Sequence, residues 1–157
     1  MALEQELGLK KGFKVLEHEA ILNIYYSASC IRKRASEFFR ELGLTDVQFN
    51  VMMLLAHQSG RQEGLTQAQL SNMMLVNRAN ITTLIDRMEK AELVVRSEAA
   101  GDRRSNIIKM TNKGKKLFAR IEPLYAKQVK AAMNVLGTAE QKKLIVMLEK
   151  IRNKLSQ

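Results

Sequence analysis

Hydrophobic residues recur at helical intervals along most of the chain, with one interruption. Over about residues 16–42, Ile21, Ile24, Tyr25, Ala28, Ile31, Ala35, Phe38, Phe39 and Leu42 keep the spacing of one helix face. A helix of that length runs ~40 Å at 1.5 Å per residue, longer than a small domain needs for itself. Thr45-Asp46-Val47-Gln48 then reads as a capping box, in which the Thr and Gln side chains satisfy backbone N–H groups orphaned at a helix start. The segment it opens, to about Gln58, is apolar nearly all round (Phe49, Val51, Met52, Met53, Leu54, Leu55, Ala56). Such a helix must be packed on several sides.

Thr66-Gln67-Ala68-Gln69 is a second capping box and predicts a short helix with Leu70, Met73 and Met74 on one face. Leu75-Val76-Asn77 breaks the pattern, and Asn77 suits the N-cap of another helix. There Ile81, Leu84, Ile85 and Met88 stand at i, i+3, i+4 and i+7, while Arg78, Asn80, Thr83, Arg87 and Lys90 occupy the other face. Two short helices with a tight joint, the second polar and basic outside, predict a helix-turn-helix. The period then changes: β-branched residues at 94–98 and 106–111 predict two strands. The loop between them, 99–105, carries Arg103 and Arg104, so the pair forms a β-hairpin with a basic tip, a wing.

Helical spacing returns in Leu117, Ile121, Leu124, Tyr125, Val129, Ala132, Met133 and Leu136, with Pro123 expected to bend the helix and Gly137 to close it. Thr138-Ala139-Glu140-Gln141 reads as a third capping box before Leu144, Met147, Leu148, Ile151 and Leu155. Apolar stripes at both chain ends flank a winged module that is compact by itself. Their economical use is a helical dimer interface built from both ends.

Charge changes the picture next. The 157 residues carry a formal charge of +10, from 26 Lys and Arg against 16 Asp and Glu. Residues 1–60 are balanced at 7 and 7, 61–111 carry 8 against 6, and 112–157 carry 11 against 3. A pI near 9.9 suits an anionic partner, most simply nucleic acid, although a solvated basic helix face has the same composition. At 46% hydrophobic the chain can bury a core, which excludes wholesale disorder, and its length fits one domain. The longest apolar run is 51–56, far short of a membrane span, and no signal peptide is visible at the N-terminus. With a single Cys, these features predict a cytoplasmic protein that does not engage a membrane.

In order and spacing, five strings resemble the MarR family of bacterial transcriptional regulators over roughly residues 15–155. They are Leu44-Thr45-Asp46-Val47-Gln48-Phe49-Asn50-Val51, Leu65-Thr66-Gln67-Ala68-Gln69-Leu70, Asn77-Arg78-Ala79-Asn80-Ile81-Thr82-Thr83-Leu84-Ile85-Asp86-Arg87-Met88-Glu89-Lys90, Gly101-Asp102-Arg103-Arg104, and Met110-Thr111-Asn112-Lys113-Gly114. The resemblance implies a mainly α fold with a small β-hairpin wing. The single domain would span 1–157, with a winged helix-turn-helix at about 45–111 and dimerisation helices at about 14–42 and 112–157. It implies a homodimer that reads a pseudo-palindromic operator on double-stranded DNA, most often as a repressor, and is released by a small aromatic or amphipathic effector. The helix from Asn77 to Glu92 would enter the major groove.

On that reading Arg78, Asn80, Thr82, Thr83 and Arg87 reach base edges or phosphates, and Thr66 combines a cap with a phosphate contact. The chemistry fits, because Arg and Asn pair bidentately with guanine and adenine edges, and hydroxyls suit phosphates. Arg103 or Arg104 would probe the minor groove, with Asp102 holding a wing arginine. Lys113, Lys115 and Lys116 either lean on the phosphate backbone or form a plain basic face. The family's effector site would draw here on Tyr25, Tyr26, Ser29, Met53 and His57, although such residues also serve as core.

Other chemistry has little support. His18 and His57 are the only histidines and have no metal-ligand spacing, so neither a metal nor another cofactor is expected. Nothing resembles a nucleophile elbow, a P-loop or a dinucleotide fingerprint, which argues against an enzyme. Cys30, followed by Arg32, Lys33 and Arg34, leaves open a thiol-based redox regulator, against the commoner reading of a buried, inert thiol. A basic helical adaptor whose winged helix binds protein is the remaining alternative.

Overall fold

The computed structural model describes residues 2–60, 64–74, 78–99 and 102–156, with residues 78, 79, 99 and 102–105 described through their backbone alone. Leu3–Glu6 (α1), a single turn that the apolar pattern did not predict, precedes the long helix Leu16–Glu41 (α2). The winged module follows as Asp46–Gln58 (α3), Leu65–Thr66 (β1), Gln67–Met74 (α4), Arg78–Lys90 (α5), Val94–Ala99 (β2) and Asp102–Met110 (β3). Asn112–Met133 (α6) and Thr138–Leu155 (α7) end the chain. The fold is mainly helical, with one small antiparallel sheet of order β1-β3-β2. No described helix is long and apolar enough to cross a membrane.

Two predicted capping boxes form. Thr45 Oγ1 accepts from Gln48 N at 3.2 Å while Thr45 N donates to Gln48 Oε1 at 2.9 Å, and Thr66 and Gln69 repeat the exchange at 3.1 and 2.8 Å. The third is displaced by one residue. Gly137 is the N-cap of α7 and donates its N–H to Glu140 Oε2 at 2.7 Å, so Thr138 is the first residue inside the helix. Gln141, expected to pair with Thr138, instead donates its Nε2 to Met133 O at 3.1 Å and to Leu136 O at 2.9 Å, just past α6, which ends at Met133 rather than at Gly137. The α6 helix continues through Pro123, whose missing N–H deletes one rung of its ladder.

The wing departs from expectation more. Its strands pair Val94 with Met110 and Glu98 with Asn106, then Ala99 with Asp102. Between the last two pairs β2 advances one residue and β3 four, so 103–105 form a bulge inside the hairpin instead of part of a seven-residue loop. Asp102, Arg103 and Arg104 therefore belong to a strand. Their side chains, like that of Arg78, lie outside the described residues, as do Gly101 and Asn77, the expected N-cap of α5. The strand β1 was not predicted either. Its two residues pair Leu65 with Ile108 and Thr66 with Ile107, too short a run to show alternation.

The core lies within the winged module and its junction with α2 and α6. Phe49, Val51, Met52, Leu70, Ile81, Ile85, Met88 and Ile108 have no solvent exposure. An aromatic cluster joins three helices: Phe49 of α3 has its ring centroid 4.8 Å from Phe39 of α2, and 5.6 and 4.9 Å from Phe118 and Tyr125 of α6. Offset and tilted rings at such distances add to the burial they already provide. This cluster fixes how the long helices leave the module. Beyond it their apolar stripes open outward: Tyr25 and Ile31 on α2, and Ile145, Met147 and Leu155 on α7, are exposed, and α7 buries no residue.

Candidate nucleic-acid interface

The α4–α5 pair is the expected helix-turn-helix, and α5 is seated by its apolar face. Ile81, Ile85 and Met88 are fully buried and Leu84 is half-buried. At ~100° per residue, Asn80, Thr83 and Arg87 fall within ~60° of arc on the side away from that face. All three are exposed, so they are brought together as one polar surface. Thr82 is exposed too but lies on the flank with Asp86 and Glu89, toward the wing. Thr66 is half-buried and occupied as the cap of α4. Lys113, Lys115 and Lys116 are exposed in the first turn of α6, which contains no acidic residue.

The wing is tied to α5 by Arg96 of β2, an ion-pair centre that the sequence reading missed. Its Nη2 lies 2.5 Å from Asp86 Oδ1, and its Nη1 pairs with Glu89 Oε2. Its backbone N–H donates to the other Glu89 oxygen at 3.0 Å, which satisfies a donor on the open side of an edge strand. Burial by itself would lower the Arg96 pKa. The Asp86 hydrogen bond, with the charge and hydrogen bond of Glu89, outweighs burial and raises it, so the guanidinium stays charged.

At the other end of β2 the joint is narrow. Glu92 N donates to Glu89 O at 2.8 Å and Leu93 N to Met88 O at 2.9 Å, which closes α5 in a Schellman pattern. Thr111 Oγ1 then donates to Glu92 O at 2.6 Å, and Thr111 N to Leu93 O at 3.1 Å. The start of α6 is thereby stitched to the end of α5.

The MarR family sequence profile matches residues 42–105, the segment that holds the helix-turn-helix and the hairpin. The HTH-type transcriptional regulator YkoM of Bacillus subtilis is 30% identical over 146 residues, covering 90% of this chain and 92% of the relative. The chain belongs to the MarR family of transcriptional regulators. That is a family of regulators rather than enzymes. Solved MarR folds superpose along almost the whole chain. AbsC of Streptomyces coelicolor has a TM-score of 0.81 at 17% identity, covering 93% of this chain and 99% of its own. Sco3205 of the same organism, solved in complex with DNA, has a TM-score of 0.79 at 19% identity and covers 94% of each.

The residues expected at an effector site do not converge within one chain of this MarR protein. Met53 lines a cavity of about 510 Å³ between α3, α6 and the start of α7, with Glu122, Tyr125, Val129 and Met133 on its wall. His57 lines another, of about 330 Å³, with Leu55, Met110 and Lys115. Tyr26 is half-buried, Tyr25 and Ser29 are exposed on α2, and none of the three lines either cavity. His57 Nε2 sits 2.6 Å from Glu122 Oε1, a link between α3 and α6 across 65 positions of sequence that no local pattern announced. Cys30 is exposed in the single chain, not buried as its residue type favours, and lines a groove of about 310 Å³ with Ile31, Arg34 and Phe38 of α2 and Tyr125 and Val129 of α6. Among the described residues, no cluster of His, Cys, Asp and Glu forms a metal site.

Proposed function

We propose that this MarR-family regulator acts as a homodimer that reads a pseudo-palindromic site on double-stranded DNA, most simply as a repressor relieved by a small ligand. The observation that carries the reading is the exposed arc of Asn80, Thr83 and Arg87 on a helix otherwise seated by fully buried residues. Arg87 and Asn80 supply base-edge recognition, Thr82 and Thr83 supply hydroxyls for phosphate, and Arg78 extends the same helix. Thr66 stands at the start of α4, where a helix N-terminus favours an anion. Arg103 and Arg104 take the minor groove from the wing, with Asp102 in support, and Lys113, Lys115 and Lys116 follow the backbone. Residues 1–157 act as one unit, about 45–111 as the DNA-binding part and about 14–42 and 112–157 as the dimerising helices.

The second copy is the natural cover for α7, whose Ile145, Met147 and Leu155 stand exposed in the single chain. Two reading helices held ~34–36 Å apart then meet successive major grooves. The Met53–Glu122–Tyr125 cavity lies between the winged module and the dimerising helices, so an aromatic or amphipathic ligand there controls the spacing if it favours one head position over another. Tyr25, Tyr26, Ser29 and His57 would join such a site once two chains assemble.

Selection of bound duplexes from a random library tests the reading. The expected result is an inverted repeat, and Arg87→Ala should weaken binding to it ~5–150-fold, the equivalent of ~1–3 kcal/mol, while the dimer stays folded. A monomer in solution, or recovery of duplexes with no sequence preference, would overturn it. The exposure of Cys30 in an apolar groove favours a second reading, thiol control of the same DNA binding. Peroxide-induced release that survives in Cys30→Ser removes that reading.

A further inference from the structure

A helix that reads DNA has little room for carboxylates, yet α5 carries two. Asp86 directly precedes Arg87 and stands ~60° of arc from Thr83, with its side chain 51% exposed. Glu89, one turn further, is 37% exposed. Left alone, Asp86 would stand at the edge of the reading arc as a like charge to the approaching phosphates, and Glu89, ~120° from Thr83 on the wing side, would add to the same local negative charge. Both are instead drawn onto Arg96 of β2: the guanidinium spans Asp86 and Glu89, and the Arg96 N–H takes the remaining Glu89 oxygen. Exposed ion pairs contribute little to stability, so the larger consequence lies in where charge sits at the interface.

We propose that Arg96 is a positioning residue for DNA binding, which masks Asp86 and Glu89 and holds their side chains against the wing, away from the duplex. The proposal rests on α5 being the reading helix. In it Arg96 touches no nucleotide. It sets the net charge that α5 presents, and because β2 leads into the wing, it also keeps hairpin and reading helix in one relative placement.

The test compares the full-length protein with three variants, Arg96→Met, Arg96→Lys and the triple Arg96→Met/Asp86→Asn/Glu89→Gln. Affinity for the selected duplex is measured at about 50 mM and about 200 mM salt, with thermal melting as the check on folding. Arg96→Met should bind ~10–100-fold more weakly at the lower salt, with a smaller loss at the higher salt because screening weakens the exposed repulsion. The triple variant should recover to within roughly threefold of the parent, since the carboxylates that needed masking are gone, and Arg96→Lys should keep most of the affinity. A loss that is equal at both salts and persists in the triple variant would mean a purely structural arginine and would overturn the proposal. So would an Arg96→Lys protein as weak as Arg96→Met.

If Arg96→Met fails to fold, Asp86→Asn/Glu89→Gln with Arg96 intact decides. A freed guanidinium should strengthen binding to random duplex and steepen its salt dependence, and unchanged affinity would overturn the masking role. A parent protein that binds no duplex defeats the DNA-reading role itself. A parent that binds, with Arg96→Met equal to it, defeats only the masking.

Discussion

The two parts of this chain use apolar residues in opposite ways. In the winged module they close on themselves: Phe49, Val51, Met52, Leu70, Ile81, Ile85, Met88 and Ile108 are fully buried within the single chain. In the terminal helices they do so only at the junction with the module: α2 buries Phe39, α6 buries Phe118 and Ile121, and α7 buries nothing. The first region specifies a structure, and the second leaves apolar surface open. In the proposed dimer, a head whose shape is set internally is carried on helices that the second copy completes, which lets head spacing vary without the head unfolding.

The sharpest way to break that contrast is to charge the open stripe. Met147→Asp/Ile151→Asp should convert the dimer to monomer in sedimentation and weaken binding to a two-half-site duplex by ~100-fold or more, because the second head loses its effective concentration. Undiminished dimer mass would place the interface elsewhere. The complementary change hollows the closed core. Met88→Ala should cost ~2–5 kcal/mol in urea unfolding, the usual range for a fully buried methionine, while native sedimentation still shows the dimer. Dissociation by Met88→Ala without loss of stability would mean that the two regions are not separate in the way their burial implies.

The closed region was also the more legible in sequence. Ile81, Leu84, Ile85 and Met88 announce α5 because helical periodicity is local, and Thr45 with Gln48 and Thr66 with Gln69 mark helix starts through bonds only three residues long. What stayed hidden depends on chain separation. Arg96 finds Asp86 and Glu89 only after α5 and β2 pack, and His57 meets Glu122 across 65 positions. The hairpin register failed for a related reason. Strand propensity placed β2 and β3 but not the bulge at 103–105, which pairing alone decides. The exposure of Cys30 likewise depends on how α2 and α6 diverge, not on its neighbours in sequence.

The junction between the regions offers a smaller and more specific test. Gly114, in the first turn of α6, has no room for a side chain: a Cβ there would lie 2.1 Å from the Leu93 carbonyl oxygen. That neighbour is backbone, fixed by the end of α5, and cannot swing aside. Gly114→Ala should therefore cost ~1–3 kcal/mol and tilt α6 against the wing. If the helices and the module are coupled through this joint, the variant should also lose operator affinity more than its lost stability explains. An unaltered affinity would assign the coupling to the Phe39–Phe49–Phe118–Tyr125 cluster instead.

The smallest effect expected is a gain. Glu92, at the end of α5, has φ of 58°, the left-handed conformation that terminates a helix and that glycine adopts without penalty. A side chain held there costs ~1–2 kcal/mol. It persists because Thr111 Oγ1 holds the Glu92 carbonyl at 2.6 Å and Lys113 Nζ holds its carboxylate at 3.0 Å. The carbonyl bond survives substitution, whereas the Lys113 pair, largely exposed on both sides, contributes no more than ~1 kcal/mol. Glycine also gains freedom in the unfolded chain, which offsets part of the relief. Glu92→Gly should therefore stabilise the winged module by ~0.5–1 kcal/mol, seen as a higher urea midpoint at unchanged slope. Sedimentation should remain that of the parent, because this joint belongs to the closed region. A lower midpoint would show that the Lys113–Glu92 pair outweighs the backbone strain, making the link from α5 to α6 electrostatic as well as steric.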